Sequence, residues 1–125
     1  MGGSVRAWRG LLATLLLVAG CASGGRGGPA VRILVNNNLV PPTPVSVYML
    51  SQTGQERYLG MVVSSSTNTV LYQGLPPVGE YRLVARSETS NRRIVSNIVL
   101  MDGVTALEWS LENNLVEIRA TTRGD

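Results

Sequence analysis

The sequence predicts one all-β domain, a single antiparallel β-sandwich of seven or eight short strands over residues 31–121. Three observations predict it. From Val31 onward, short runs rich in Val, Ile, Leu, Thr and Tyr are bounded by clusters of Gly, Pro, Asn and Ser. Several runs alternate apolar and polar residues with period two, and none carries the 3.6-residue period of an amphipathic helix. About 95 residues follow Ala30, enough for one hydrophobic core and too few for two.

Residues 1–20 read differently. Arg6 and Arg9 precede Leu11–Ala19, which is apolar apart from Thr14. As a helix rising about 1.5 Å per residue, that run spans roughly 14 Å, about half of a hydrocarbon core of roughly 30 Å. It is too short to cross a membrane and suits the helical core of a signal peptide, with the arginines holding the start on the cytoplasmic side. Ala19 and Gly20 are small enough to enter a peptidase cleft in extended form. Cys21, the only cysteine, follows directly.

Val18-Ala19-Gly20-Cys21 resembles the lipobox of bacterial lipoproteins. That resemblance covers residues 1–21. It implies cleavage between Gly20 and Cys21 and a diacylglyceryl thioether on the Cys21 sulfur, so that the membrane is reached through a lipid anchor. Ala22 stands where the family associates aspartate with inner-membrane retention, so in a Gram-negative host the resemblance favours the outer membrane, whereas a Gram-positive host would keep the anchor on its single plasma membrane. Residues 21–30, with four glycines between Ala22 and Ala30, are predicted to be a flexible tether.

The strands follow in order. Val31–Val35 is the first, with Asn36-Asn37-Asn38 expected as a loop. Pro41-Pro42-Thr43-Pro44 reads as a corner, since proline lacks the N–H a central strand needs. Val45–Leu50 alternates Val45, Val47 and Met49 against Ser46, Tyr48 and Leu50, and its flanking prolines mark it as a candidate edge. Gln52-Thr53-Gly54-Gln55 supplies a hairpin turn into Arg57–Val63, where Gly60 signals a bulge or a close backbone approach. Ser64-Ser65-Ser66 turns into Thr69–Tyr72, and Gly74–Gly79 is a second proline corner. Glu80–Arg86 alternates Tyr81, Leu83 and Ala85 against Arg82, Val84 and Arg86. Ile94–Met101 is nearly continuously apolar and reads as one central strand. Asp102-Gly103 is a hairpin signal into Val104–Leu111, with Leu107, Trp109 and Leu111 on one face. Asn113-Asn114 turns into a last strand, Leu115–Ala120, and the tail should fray.

Three stretches together resemble transthyretin-like and carboxypeptidase-regulatory-like sandwich domains: Val45–Leu50, Gly79–Ala85 and Val99–Trp109. The Gly-x-Tyr start at Gly79 is also similar to surface modules of the PEGA type. The resemblance implies an accessory, adhesive or scaffolding module more readily than a catalyst.

Composition narrows the chemistry. Histidine is absent and every basic residue is arginine. With Cys21 lipidated, no thiolate, imidazole or lysine remains to serve as nucleophile or base. The formal charge of +3 falls to about +1 once Arg6 and Arg9 are removed with the signal, leaving nine arginines against eight acidic residues. Arg92-Arg93 is the only adjacent basic pair, so no basic face of the kind nucleic acid requires is expected. Neither the spacing of Glu80, Glu88, Asp102, Glu108, Glu112 and Glu117 nor the asparagine loop forms a catalytic pair or a calcium ligand run. No metal or cofactor is expected.

Trp109 is expected in the core, where its indole N–H needs a partner. Tyr48, Tyr58 and Tyr72, with Tyr81, form the candidate binding surface, either as core-capping rings or as a platform for a sugar or peptide. The sequence is therefore read as a non-enzymatic, lipid-anchored envelope protein that binds a protein partner, with a carbohydrate- or peptidoglycan-binding module as the alternative. Exposed coplanar rings would favour glycan, and buried rings beside an open apolar edge would favour protein.

Overall fold

The computed structural model describes residues 28–122. The signal segment, the Gly20–Cys21 junction, Cys21 itself and most of the tether lie outside them. The described residues are all-β, with nine strands in two sheets and one turn of 3-10 helix. The strands are β1 (Ala30–Asn37), β2 (Val45–Ser51), β3 (Glu56–Val62), β4 (Ser66–Gln73), β5 (Gly79–Ser87), β6 (Arg93–Val95), β7 (Val99–Met101), β8 (Val104–Ser110) and β9 (Leu115–Thr121).

The first sheet has the order β9-β8-β1-β4. The second runs β3-β2-β5, and β6 and β7 then share the far edge of β5. All pairs are antiparallel except β1 with β8, where Arg32 lies opposite Ala106 and Asn36 opposite Ser110. Parallel neighbours need a long crossover, and here the whole second sheet together with β4 of the first forms it.

Period-two alternation builds the core. Val31, Ile33 and Val35 of β1 meet Val45, Val47 and Met49 of β2, Leu83 and Ala85 of β5, and Leu107 and Trp109 of β8, all buried in one cluster. Trp109 is fully buried, as its alternation predicts, but its indole N–H finds no hydrogen-bond partner among the described residues. An unsatisfied buried donor costs about 1–3 kcal/mol, which the burial of the ring must offset. Gly60 marks both features its position suggests. Leu59 is the extra residue of a bulge against Val47 and Tyr48, and a Cβ at Gly60 would lie 3.1 Å from Val70 Cγ1.

Four expectations are corrected. Val45–Leu50 is not an edge: β2 pairs with β3 on one side and β5 on the other, and β3 forms the edge. Asn36 and Asn37 belong to β1, and the Asn37 carboxamide is fully buried, reaching Thr43 O at 2.9 Å and Val63 O at 3.0 Å. Ile94–Met101 is not one central strand. Ser96 takes the Leu83 N–H at 2.8 Å with its hydroxyl, and Asn97 turns its side chain to β9, so the run divides into β6 and β7 along an edge. Asp102-Gly103 is a turn but not a hairpin, since β7 lies in the second sheet and β8 in the first. Gly103 has φ 72°, and a Cβ there would lie 2.9 Å from the Thr122 carbonyl, which requires glycine at this passage between sheets.

Val84 points to the outer face of the second sheet and is nonetheless fully buried. Tyr48 and Val95 are its cross-strand neighbours, and the Arg86 guanidinium lies 4.7 Å from the centre of the Tyr48 ring.

Candidate functional site

The predicted tyrosine surface resolves into two places. Tyr48 and Tyr58 face each other across β2 and β3 on the outer face of the second sheet. Their rings are 5.5 Å apart at 61°, an edge-to-face contact rather than a flat platform. Tyr48 is half-buried and Tyr58 is 55% exposed. Arg86 ties this face together, stacking on Tyr48 and donating to Glu56 Oε1 at 2.5 Å, while Arg93 approaches the other oxygen of Glu56 at 3.5 Å.

Tyr72 and Tyr81 stand elsewhere, half-buried against the core. They line an open cleft of about 750 Å³ together with Met49, Gln52, Gln55 and Arg57. Arg57 is opposite Met49 on β3, which turns it toward the interior, and its guanidinium sits 4.1 Å from the Tyr72 ring centre. That distance suits a cation–π contact. The Tyr81 hydroxyl donates to Pro77 O at 2.7 Å. Burial first, and the charge of Tyr72 second, push the Tyr81 hydroxyl up, so it stays protonated and able to donate.

The cleft lies at one end of the domain. Ala30 opposite Gln73, Gly79 opposite Met101 and Thr121 opposite Val104 place the start of β1, the Gly74–Val78 loop and the end of β9 at this same end. The other end is stitched shut by polar side chains. There Asn37 holds the carbonyls of Thr43, Val62 and Val63, and the Thr43 hydroxyl bonds those of Ser87 and Thr89, each at 2.9 Å.

The strand edges differ as well. On β9 the Asn97 side chain accepts the Val116 N–H at 2.7 Å and donates to the Val116 carbonyl at 3.4 Å, occupying the edge as a strand would. On the face of β9, Arg119 bridges Glu108 of the neighbouring β8 and Glu117 of its own strand. The bond from Asn36 and the Arg119 pair hold the Glu108 carboxyl below the usual carboxylate range. On β3, Asn37 takes the Val62 carbonyl at the closed end. From Glu56 to Met61 no described side chain occupies the backbone of the free edge. Past the charged pair Glu56 and Arg57 at the start of the strand, the exposed side chains are apolar: Tyr58 and Met61 on the outer face, with Val63 just beyond, are 55%, 53% and 57% exposed.

Sequence reasoning overlooked Asn37 and Asn97. Asn97 had a signal, as one of two polar residues interrupting the apolar run Ile94–Met101. Asn37 had none, because an asparagine after a strand is equally well suited to a turn. Among the described residues no group of three or more acidic or cysteine side chains could hold a metal, and no helix is long and apolar enough to cross a membrane.

No protein-family model matches the chain, and no curated protein sequence matches it. Among solved structures it is similar to the NMR structure of a protein from Eubacterium rectale, with 15% identity and a TM-score of 0.42. That likeness covers 78% of this chain and 94% of the other.

Proposed function

We propose that this chain is a lipid-anchored, non-enzymatic β-sandwich of the bacterial envelope, held through Cys21, that binds an envelope protein along the β3 edge. The observation that carries the binding mode is the contrast between edges: β3 offers an uncapped backbone from Glu56 to Met61 beside exposed Tyr58 and Met61. An extended partner segment adding there gains main-chain hydrogen bonds, and the flanking apolar side chains set specificity. The lipobox-like Val18–Cys21 supports the anchor, and Ala22 supports the outer membrane as its destination.

The cleft at Tyr72 supports a second reading, a carbohydrate- or peptidoglycan-binding module. Tyr72 backed by Arg57, with the carboxamides of Gln52 and Gln55, offers a ring face and polar groups to a sugar. The Tyr48–Tyr58 pair, at 61°, supports that reading less.

Cross-linking in native membranes, followed by partner identification, separates the two. The first reading expects a protein adduct that depends on β3. Retention on a peptidoglycan matrix without any protein adduct would reverse the ranking. The anchor is tested apart from both by Cys21→Ala, which should leave an unprocessed or soluble product; a membrane-bound product of unchanged size would contradict lipidation.

A further inference from the structure

The loop Gly74-Leu75-Pro76-Pro77-Val78 joins β4 to β5 at the same end of the domain from which the tether departs. Its two largest apolar side chains point away from the core, with Leu75 62% and Val78 71% exposed. Two hydrogen bonds hold the loop in this form. The Gly74 N–H donates to Pro29 O at 2.8 Å, and the Tyr81 hydroxyl donates to Pro77 O at 2.7 Å. Two consecutive prolines restrict it further. A loop fixed in this way loses little conformational freedom when it meets a partner.

We infer that this loop docks on the lipid surface, with Leu75 and Val78 entering the bilayer interface, an inference that rests on the reading of Cys21 as the lipid anchor. The covalent reach of the chain supports it. Eight residues separate Cys21 from Ala30, nine steps along the chain and a span of at most about 32 Å at roughly 3.3–3.6 Å per step. The eight residues of β1 alone run about 26 Å along the domain. Presenting the closed end to the bilayer would therefore need nearly the full contour of the tether laid along the domain. Presenting the tether end needs almost none. Pro29, the last residue before β1, is itself hydrogen-bonded to the loop, so the chain leaves the domain beside Leu75.

The tether also supplies the proximity that two side chains alone would not. Full burial of a leucine or valine favours the buried state by roughly tenfold or more. That is weak for a free protein meeting a membrane, but sufficient to orient a domain already held at high effective concentration. Asp102 and the exposed Glu80 share this end with Arg57 of the cleft, so it carries no basic excess to draw anionic headgroups and docking should persist at high salt.

The test uses the lipidated full-length protein in phosphatidylcholine vesicles carrying headgroup-level nitroxide quenchers. Val78→Cys and, at the closed end, the exposed Asn91→Cys each receive an environment-sensitive fluorophore, since an acylated Cys21 takes no label. The label at position 78 should be quenched several-fold more than that at 91, at low and high salt alike. Adding Leu75→Asp, a change on an exposed side chain checked for folding by circular dichroism, should abolish most of the difference. Equal quenching at both positions, with mass spectrometry showing diacylglyceryl on Cys21, overturns the docking and leaves the anchor standing. Leu75→Asp without effect overturns the role given to apolar insertion. A preparation whose Cys21 carries no lipid overturns the anchor, and the docking with it.

Discussion

β3 and β9 each end a sheet, and each exposes apolar side chains, but they are finished differently. On β9 an asparagine from the opposite sheet occupies the edge backbone at Val116, and Arg119 lays an ion pair with Glu108 and another with Glu117 beside it. Charge and capping are the usual protections against unwanted strand pairing. β3 also carries ion pairs, from Glu56 to Arg86 and Arg93, so the difference lies in the capping: on β3 only the last residue is covered, by Asn37, and Tyr58 and Met61 stand beside backbone that no described side chain caps. The same fold thus contains the means of closing an edge and applies it fully to one edge. The ends of the domain repeat this contrast, with a polar network at one and an open cleft and an apolar loop at the other.

The comparison can be broken most severely at Asn37. Asn37→Ala removes the donor to three carbonyls in a fully buried position, and should destabilise the domain by about 3 kcal/mol or more in urea unfolding. A loss under about 1 kcal/mol would mean that water replaces the carboxamide and the closed end is not what holds β3.

Asn97→Ala should follow, with about 1–2 kcal/mol lost, because Asn97 is exposed and its removal lets solvent reach the Val116 backbone groups. It should also convert β9 into an open edge, read as faster amide exchange at Val116 and greater self-association. Unchanged exchange at Val116 would show that the cap is ornamental. Met61→Lys should change stability by less than about 0.5 kcal/mol, being an exposed substitution, while removing partner binding at β3. Partner binding that survives this charge would move the interface elsewhere.

The smallest effect is electrostatic. The Asn36 hydrogen bond and Arg119 lower the Glu108 pKa in the folded state, so the ionised form is favoured there. The contribution is present above the ordinary glutamate value of about 4.3 and is lost as the pH falls through the folded value below it. A carbon-detected titration should place the Glu108 midpoint below the ordinary glutamate value. Arg119→Gln should raise it, and no movement would leave the ion pair without effect.

Much of this contrast was legible in the residues, and the rest was not for definable reasons. Alternation in Val45–Leu50 and Val104–Leu111 placed Val45, Val47, Met49, Leu107 and Trp109 in the core, because one face of each strand is buried against the other sheet. Turn chemistry located the hairpin at Gly54 and the turn at Asn113-Asn114, where the structure puts Asn114 in the left-handed region. Partner choice was not legible. Asp102-Gly103 turns equally well within a sheet or between sheets, and prolines beside Val45 do not say that β3 will cover it. Tyr48, Tyr58 and Tyr72 looked equivalent by residue type, yet the strands carry Tyr48 and Tyr58 to the outer face and Tyr72 to the cleft. Such placements depend on pairings between segments far apart in the chain, which local patterns do not encode.

The open β3 edge is tested most directly by a photo-reactive side chain placed in turn at Met61 on β3 and at Leu115 on β9, both exposed and apolar, in membranes of the producing cell. The account predicts a discrete protein adduct from position 61 and none from 115. Equal adducts from both positions, or an adduct from 115 alone, would contradict it.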